Sequence, residues 1–313
     1  MTLDPQVQAF LDQVAALGLP PVWEQDRAAA RAAYGASAER LWGPADPLHA
    51  EEDIAVDGPA GPIPVRLYRP APASAGPLPA LVFLHGGGWV LGDLVSHGPL
   101  ARGLAARSGA IVVSVDYRLA PEHPYPAAVE DGWAALQWAV GAGGAAAGID
   151  TARAAVGGDS AGGNLAAVLA LRARDAGLPL RQQLLLYPAT DARTDAPSYS
   201  ECDGPYGLTR AAMAWYWDMY APDEAQRAQR DCSPLRAAGS LAGVAPAHVV
   251  TAQYDVLRSD GEAYAAALAA DGVPVQLREA AGLNHGFARL PGLVDAAAAE
   301  IDAMAAALRA ALA

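Results

Sequence analysis

Gly158-Asp159-Ser160-Ala161-Gly162 sets a serine between two glycines. A short β-like run, Arg153–Gly157, precedes it, and Gly163–Leu171, rich in helix formers, follows. A serine at such a strand-to-helix turn projects its hydroxyl from the top of a sheet. The flanking glycines remove Cβ atoms where strand and helix crowd. The N–H of Ala161, opening the helix, faces any negative charge that develops there. Taken alone, the pattern also fits a Gly/Ala-rich turn with an incidental serine. Three other stretches decide its weight.

The first is His85-Gly86-Gly87-Gly88-Trp89, directly after the apolar run Ala80–Leu84. Successive glycines at a strand end leave backbone N–H groups free to point into the crevice where ligands bind. Gly87 and Gly88, with Ala161, are the expected oxyanion donors, each worth about 3 kcal/mol to a developing oxyanion. A phosphate cradle would need G-x-x-x-x-G-K-[ST] or G-x-G-x-x-G opening a helix, and neither is present. His85 reads as a residue that orients this loop rather than as a base.

The second stretch supplies a base. In the chain order Ser, acid, His, only His248 and His285 follow Ser160. His248 opens an apolar strand and reads as packed. His285, in Gly282–Phe287, lies in an expected loop between a strand at 273–277 and the last helix, so it is the expected base. The third stretch supplies the acid. Asp255 follows the strand His248–Ala252 and can fix the tautomer of His285. Asp260 is the alternative, although its place at a helix start suits a dipole role. Asp159 is expected to hydrogen-bond within the elbow. Arg118 and Glu122, in Asp116–Glu122, read as an ion pair holding a loop near the site.

Elements must place these groups. Val7, Phe10, Leu11, Val14 and Leu17 keep the spacing of an amphipathic helix, and a second helix is expected at 24–35. A hairpin at a sheet edge covers about 50–70, where Pro64 is tolerable. The run 70–79 reads as a loop. Buried strands at 80–84, 110–115, 183–187 and 248–252 alternate with helices near 97–108, 126–141, 163–176 and 259–271, and a last helix spans about 293–312. That alternation predicts a mostly parallel sheet covered on both faces. Residues 190–235 break it with a helical insertion. Its aromatic run, Met213–Tyr220, serves as core, as pocket wall, or as both. Trp89, Leu208, Trp215 and Tyr216 are the candidate substrate-contacting residues.

Composition bounds the partners. The chain has 313 residues, a formal charge of −13 and an apolar share of 53%. One α/β domain with a small cap fits this length. The charge argues against nucleic acid and anionic membrane surfaces. Neither a leader nor a membrane span is evident, so a cytoplasmic protein is expected, with Cys202 and Cys232 more simply read as thiols than as a bridge.

Together, His85–Trp89, Asp116–Glu122, Gly158–Gly163 and Asn284-His285-Gly286 resemble the hormone-sensitive-lipase-like carboxylesterases of the α/β-hydrolase superfamily, from about residue 50 to the C-terminus. The resemblance implies an α/β-hydrolase fold, with a mostly parallel eight-stranded sheet flanked by helices. It implies a helical cap from 1–48 and 190–235 over a core of 49–189 and 236–313. It also implies Ser160, Asp255 and His285 as the catalytic residues, with Gly87, Gly88 and Ala161 as oxyanion donors. Short- to medium-chain acyl esters are the implied substrates, acted on by a monomer or homodimer without cofactor or metal. Non-catalytic binding proteins of the superfamily, and amide or carbamate hydrolysis, are the alternatives. Val256 stands where relatives usually carry proline after the acid. No lid helix with a large exposed apolar face is evident, so long-chain emulsified fats are not expected substrates.

Overall fold

The computed structural model describes residues 2–72 and 76–313. Eight strands form one sheet: β1 (Leu48–Gly58), β2 (Gly61–Pro70), β3 (Leu78–Leu84), β4 (Ile111–Val115), β5 (Ile149–Asp159), β6 (Gln182–Leu186), β7 (Ala247–Tyr254) and β8 (Val275–Asn284). Their spatial order is β1-β2-β4-β3-β5-β6-β7-β8. The hairpin β1–β2 and its junction with β4 are antiparallel, and every later pairing is parallel. Pro64 lies just outside the β2–β4 ladder, which begins at Val65, so its missing N–H breaks no bond there. The expected loop 70–79 holds the ends of β2 and β3, and its residues 73–75 lie outside the described residues.

Successive side chains of β3 point to opposite faces, as a strand requires. Leu81 and Phe83 join one core, and Val82 and Leu84 the other. The first core is closed by α4 (Gly98–Ser108) and α12 (Asp295–Ala311), through Leu100, Leu104, Ile301, Met304 and Leu308. The second is closed by α5 (Ala127–Ala139), α7 (Ala161–Asp175) and α11 (Arg258–Ala270), with the short α6 (Ala142–Ala146) ahead of β5.

Two helical segments lie outside this frame. The N-terminal one holds α1 (Pro5–Ala16), a short turn at Val22–Glu24, α2 (Arg27–Ala36) and α3 (Ala38–Trp42). Asp4 caps α1 by accepting from Gln6 N at 2.7 Å, and Gly18 follows the helix with φ 59°. Val7 and Leu11 bury the inner face of α1. The other segment follows β6 and holds α8 (Ser198–Glu201), α9 (Arg210–Tyr220) and α10 (Glu224–Arg227).

Three expectations change. β8 runs to Asn284, seven residues past the expected end, so His285 follows the strand directly. Arg118 pairs with Asp131 of α5 at 2.8 Å, not with Glu122, which pairs with Arg31 of α2 at 2.7 Å. An exposed apolar group does exist: Val14, Leu17, Leu19 and Trp23, all on the N-terminal segment.

Candidate active site

The three relay residues, and the histidine that opens the glycine loop, are each the first residue after a parallel strand. His85 follows β3, Ser160 follows β5, Asp255 follows β7 and His285 follows β8. The carboxyl ends of these strands form one crevice, where ligands bind in open α/β sheets. The sheet therefore brings together residues up to 200 positions apart (His285 against His85).

Ser160 has φ 56° and ψ −117°, a strained conformation for a residue with a Cβ. The strain is held by its own N–H, which donates to Leu186 O at 2.8 Å, and by packing at both glycines. A Cβ on Gly158 or Gly162 would collide with the Leu84 carbonyl. Only glycines let β5 and α7 close this tightly on β3.

His285 Nε2 lies 2.9 Å from Ser160 Oγ, and His285 Nδ1 lies 2.7 Å from Asp255 Oδ2. The carboxylate can only accept, so Nδ1 carries the proton and Nε2 presents a lone pair to the serine hydroxyl. Asp255 is buried, and its Oδ1 accepts from Leu257 N at 2.8 Å. Tyr187, at φ 34°, sets its ring 4.7 Å from the imidazole. Asp260 is elsewhere. Its Oδ2 accepts from Thr190 N at 3.0 Å and Asp191 N at 3.2 Å, tying the segment after β6 to α11, and burial pushes its pKa well up. His248 is buried, with Nδ1 2.9 Å from Gln276 Oε1 of β8.

The glycine loop is pinned from below. Tyr117 Oη donates to His85 O at 2.6 Å, and its ring stacks on His85 at 4.2 Å. Burial pushes His85 down to about 4, so the imidazole is neutral near pH 7 and Nδ1–H donates to Gly86 O. Asp159 reaches across to the neighbouring loop instead of hydrogen-bonding within its own turn: Oδ1 accepts from Gly86 N at 2.8 Å and lies 3.4 Å from His97 Nε2. Burial alone would raise the Asp159 pKa, but His97 and the Gly86 N–H outweigh it and hold the carboxyl below its usual value. Gly87 and Gly88 take φ 115° and 62°. Among the described residues, the N–H groups of Gly87, Gly88 and Ala161 donate to no protein acceptor.

A cavity of about 580 Å³ opens over Ser160 and His285, within the roughly 300–1,000 Å³ usual for small-molecule sites. Gly88, Leu208, Met213 and Tyr216 form one side, and the Tyr216 ring occupies the space that a Cβ on Gly88 would need. Phe10, Leu11 and Val14 of α1, with Leu19, Val22 and Trp23, form the other. Of the four candidate contact residues, Leu208 and Tyr216 line the cavity. Trp89 and Trp215 do not. Trp89 is fully buried, its ring stacked 4.3 Å from Tyr220 and tilted against Trp217 at 4.5 Å, so it is core that fixes the glycine loop to α9. Trp215 packs beside Tyr216 at 5.0 Å. The sequence reading missed Tyr34, Tyr187, Arg289 and the α1 wall. Only the α1 spacing carried a signal, and spacing does not say what a face covers.

Both cysteines are buried and unbridged. Among the described residues, no group of three or more His, Cys, Asp or Glu side chains is arranged to hold a metal, and no helix is long and apolar enough to cross a membrane.

The mostly parallel sheet and the Ser–His–Asp arrangement at its strand ends define a class, and comparison with known proteins agrees. The chain belongs to the alpha/beta hydrolase fold family, whose sequence profile matches residues 81–289. It is similar to the carboxylic ester hydrolase LipN of Mycobacterium tuberculosis, 44% identical over 99% of this chain and 83% of that protein. It is also similar to an ethyl acetate hydrolase of Pseudomonas putida, 38% identical over 95% of each chain. The solved structure of a thermostable esterase from Pseudomonas putida superposes with a TM-score of 0.95 at 39% identity, covering 100% of this chain and 98% of the other.

Proposed function

We propose that this chain is a serine carboxylesterase that hydrolyses short- to medium-chain acyl esters through an acyl-enzyme. The hydrogen-bonded line from Asp255 through His285 to Ser160, at the base of an apolar cavity, carries this reading. The names of the relatives support it. Ser160 Oγ attacks the ester carbonyl while His285 Nε2 takes its proton, and the carbonyl π electrons move to oxygen. That oxyanion is met by the N–H groups of Gly87, Gly88 and Ala161. The C–O bond to the alcohol then breaks as His285 returns the proton to the leaving oxygen. Water, deprotonated by the same imidazole, attacks the acyl-enzyme and releases the acid. Asp255 keeps the imidazole in register and stabilises its charged form.

In this reading 1–48 and 190–235 form a cap over a core of 49–189 and 236–313. The enzyme works as a monomer or homodimer. The two unbridged thiols fit a reducing cytoplasm. A role in binding alone has no particular observation in its favour, because all three residues of the relay stand within hydrogen-bond distance.

The test is hydrolysis of 4-nitrophenyl butyrate by wild type and by Ser160→Ala. Wild type is expected to turn over, and the variant to lose about three or more orders of magnitude in kcat with its thermal unfolding unchanged. An inert wild type, or a variant that keeps its rate, would overturn the assignment.

A further inference from the structure

The cavity has one formal charge in its lining. Arg289, two residues past Phe287 in the turn after His285, borders it alongside Tyr34, Ser160 and His285. Among the described residues, no aspartate or glutamate borders the same space. Among the described residues no carboxylate lies within ion-pair distance of Arg289, although acidic residues outnumber basic ones 34 to 21. The arginines paired elsewhere show the contrast: Arg31 with Glu122, Arg118 with Asp131 and Arg278 with Glu300.

Arg289 is held in place rather than satisfied. Its guanidinium carbon lies 3.7 Å above the centre of the Tyr34 ring, and Nη2 donates to Tyr34 O at 2.9 Å. Nε is sealed from solvent and so is out of a ligand's reach, whereas Nη1 meets no protein acceptor among the described residues and is the donor left for a ligand. A half-buried guanidinium with spare donors is under-solvated, and a carboxylate satisfies it in a fork geometry that water does not match. The Tyr34 stack removes much of the side-chain freedom that binding would otherwise cost.

Resting on the esterase reading, we propose that Arg289 is a substrate-binding residue that selects esters carrying a second, anionic group, a carboxylate. Two chemistries present one. A monoester of a dicarboxylic acid carries it on the acyl side, and an acyloxy-carboxylate carries it on the alcohol side. Both would place a negative end against Arg289 while the ester carbonyl sits at Ser160.

The test uses isosteric pairs. Mono(4-nitrophenyl) glutarate is compared with its 4-carbamoylbutanoate analogue, and 2-acetoxypropanoate with 2-acetoxypropanamide. Within each pair only the charge differs. In at least one pair, wild type is expected to prefer the carboxylate by about tenfold or more in kcat/KM, with the gain in KM. The pair that shows it identifies the side. Arg289→Gln should bring that ratio to about one, and Arg289→Lys should restore part of it. Should Arg289→Gln not fold, the wild-type ratio still reads the same contact, and it should shrink as NaCl rises from about 20 mM to about 500 mM. Equal rates within both pairs, or a preference that survives Arg289→Gln, would overturn the proposal. If the amides are hydrolysed and the carboxylates are not preferred, Arg289 is a strut and the esterase reading stands. If none of the four is hydrolysed and 4-nitrophenyl butyrate is inert too, the esterase reading itself has failed.

Discussion

The floor of the cavity and its N-terminal wall are built on opposite terms. On the floor, His85, Ser160, Asp255 and His285 each come first after a strand, and the floor is tied to other elements: Ser160 to β6, Asp255 to the start of α11, Gly86 to Asp159 and His85 to Tyr117. The wall comes from a segment whose first helix buries only Val7 and Leu11, and which leaves Val14, Leu17, Leu19 and Trp23 between 41% and 67% exposed. Reaction geometry tolerates little displacement, so it sits where the sheet over-determines it. Substrate selection tolerates more, and it sits where the chain opens at low cost. Substitutions on the floor should therefore cost stability or the chemical step, and substitutions on the wall should cost KM.

The largest stability effect is expected at Gly162. An added methyl there meets the backbone carbonyl of Leu84, which belongs to the central strand and has nowhere to move. Gly162→Ala should destabilise by about 3 kcal/mol or more, lowering Tm by several degrees or leaving the chain insoluble. A variant that melts with wild type would show that the elbow is looser than the floor description requires.

A smaller effect follows from His85. Its pKa is held near 4 by burial first and by His97 second, against about 6.5 in the unfolded chain. Between these values the unfolded chain binds a proton that the folded one refuses. The contribution is thus fully present above about pH 6.5 and is lost as pH falls toward 4, with an upper bound of about 3 kcal/mol. His85→Gln keeps a donor for Gly86 O and removes the titration, so its Tm should fall less steeply than that of wild type between about pH 6.5 and 4. Parallel slopes would remove His85 from the acid response of the floor.

This division also marks how much was legible in the sequence. Most of the floor was legible because His85, Ser160 and Asp255 follow strands that announce themselves, through apolar runs at Ala80–Leu84 and His248–Ala252 or through the glycine spacing around Ser160. β8 was read short because it is an edge strand, paired only with β7, and exposes Gln276–Glu279 where a central strand would be apolar. The partner of Arg118 was misread because Asp131 is near only once α5 folds back beneath the loop. Trp89 looked like a pocket residue, but its left-handed backbone, φ 59°, goes with a ring in the core between Trp217 and Tyr220. The wall was half legible. The spacing in α1 predicted a helix with one apolar face, and Val7 and Leu11 used that face for the core. The residues beyond it, Leu19, Val22 and Trp23, follow no period that ties them to Ser160.

The smallest expected effect is the sharpest test of the wall. Trp23 borders the cavity yet is 41% exposed, so its ring shields substrate more than it holds the fold together. Trp23→Ser should leave Tm within about 2 °C of wild type, because a half-exposed side chain loses little burial. Acetate esters sit against Ser160 and should barely sense the change. A hexanoate ester, with four more CH₂ groups at up to about 0.8 kcal/mol each when fully buried, should lose about three- to tenfold in kcat/KM, nearly all of it in KM. If acetate and hexanoate lose equally, Trp23 acts through the floor and the division between the two regions fails. If Tm drops by several degrees, the N-terminal segment is part of the folding core despite its exposure, and its openness to solvent has another cause than low local stability.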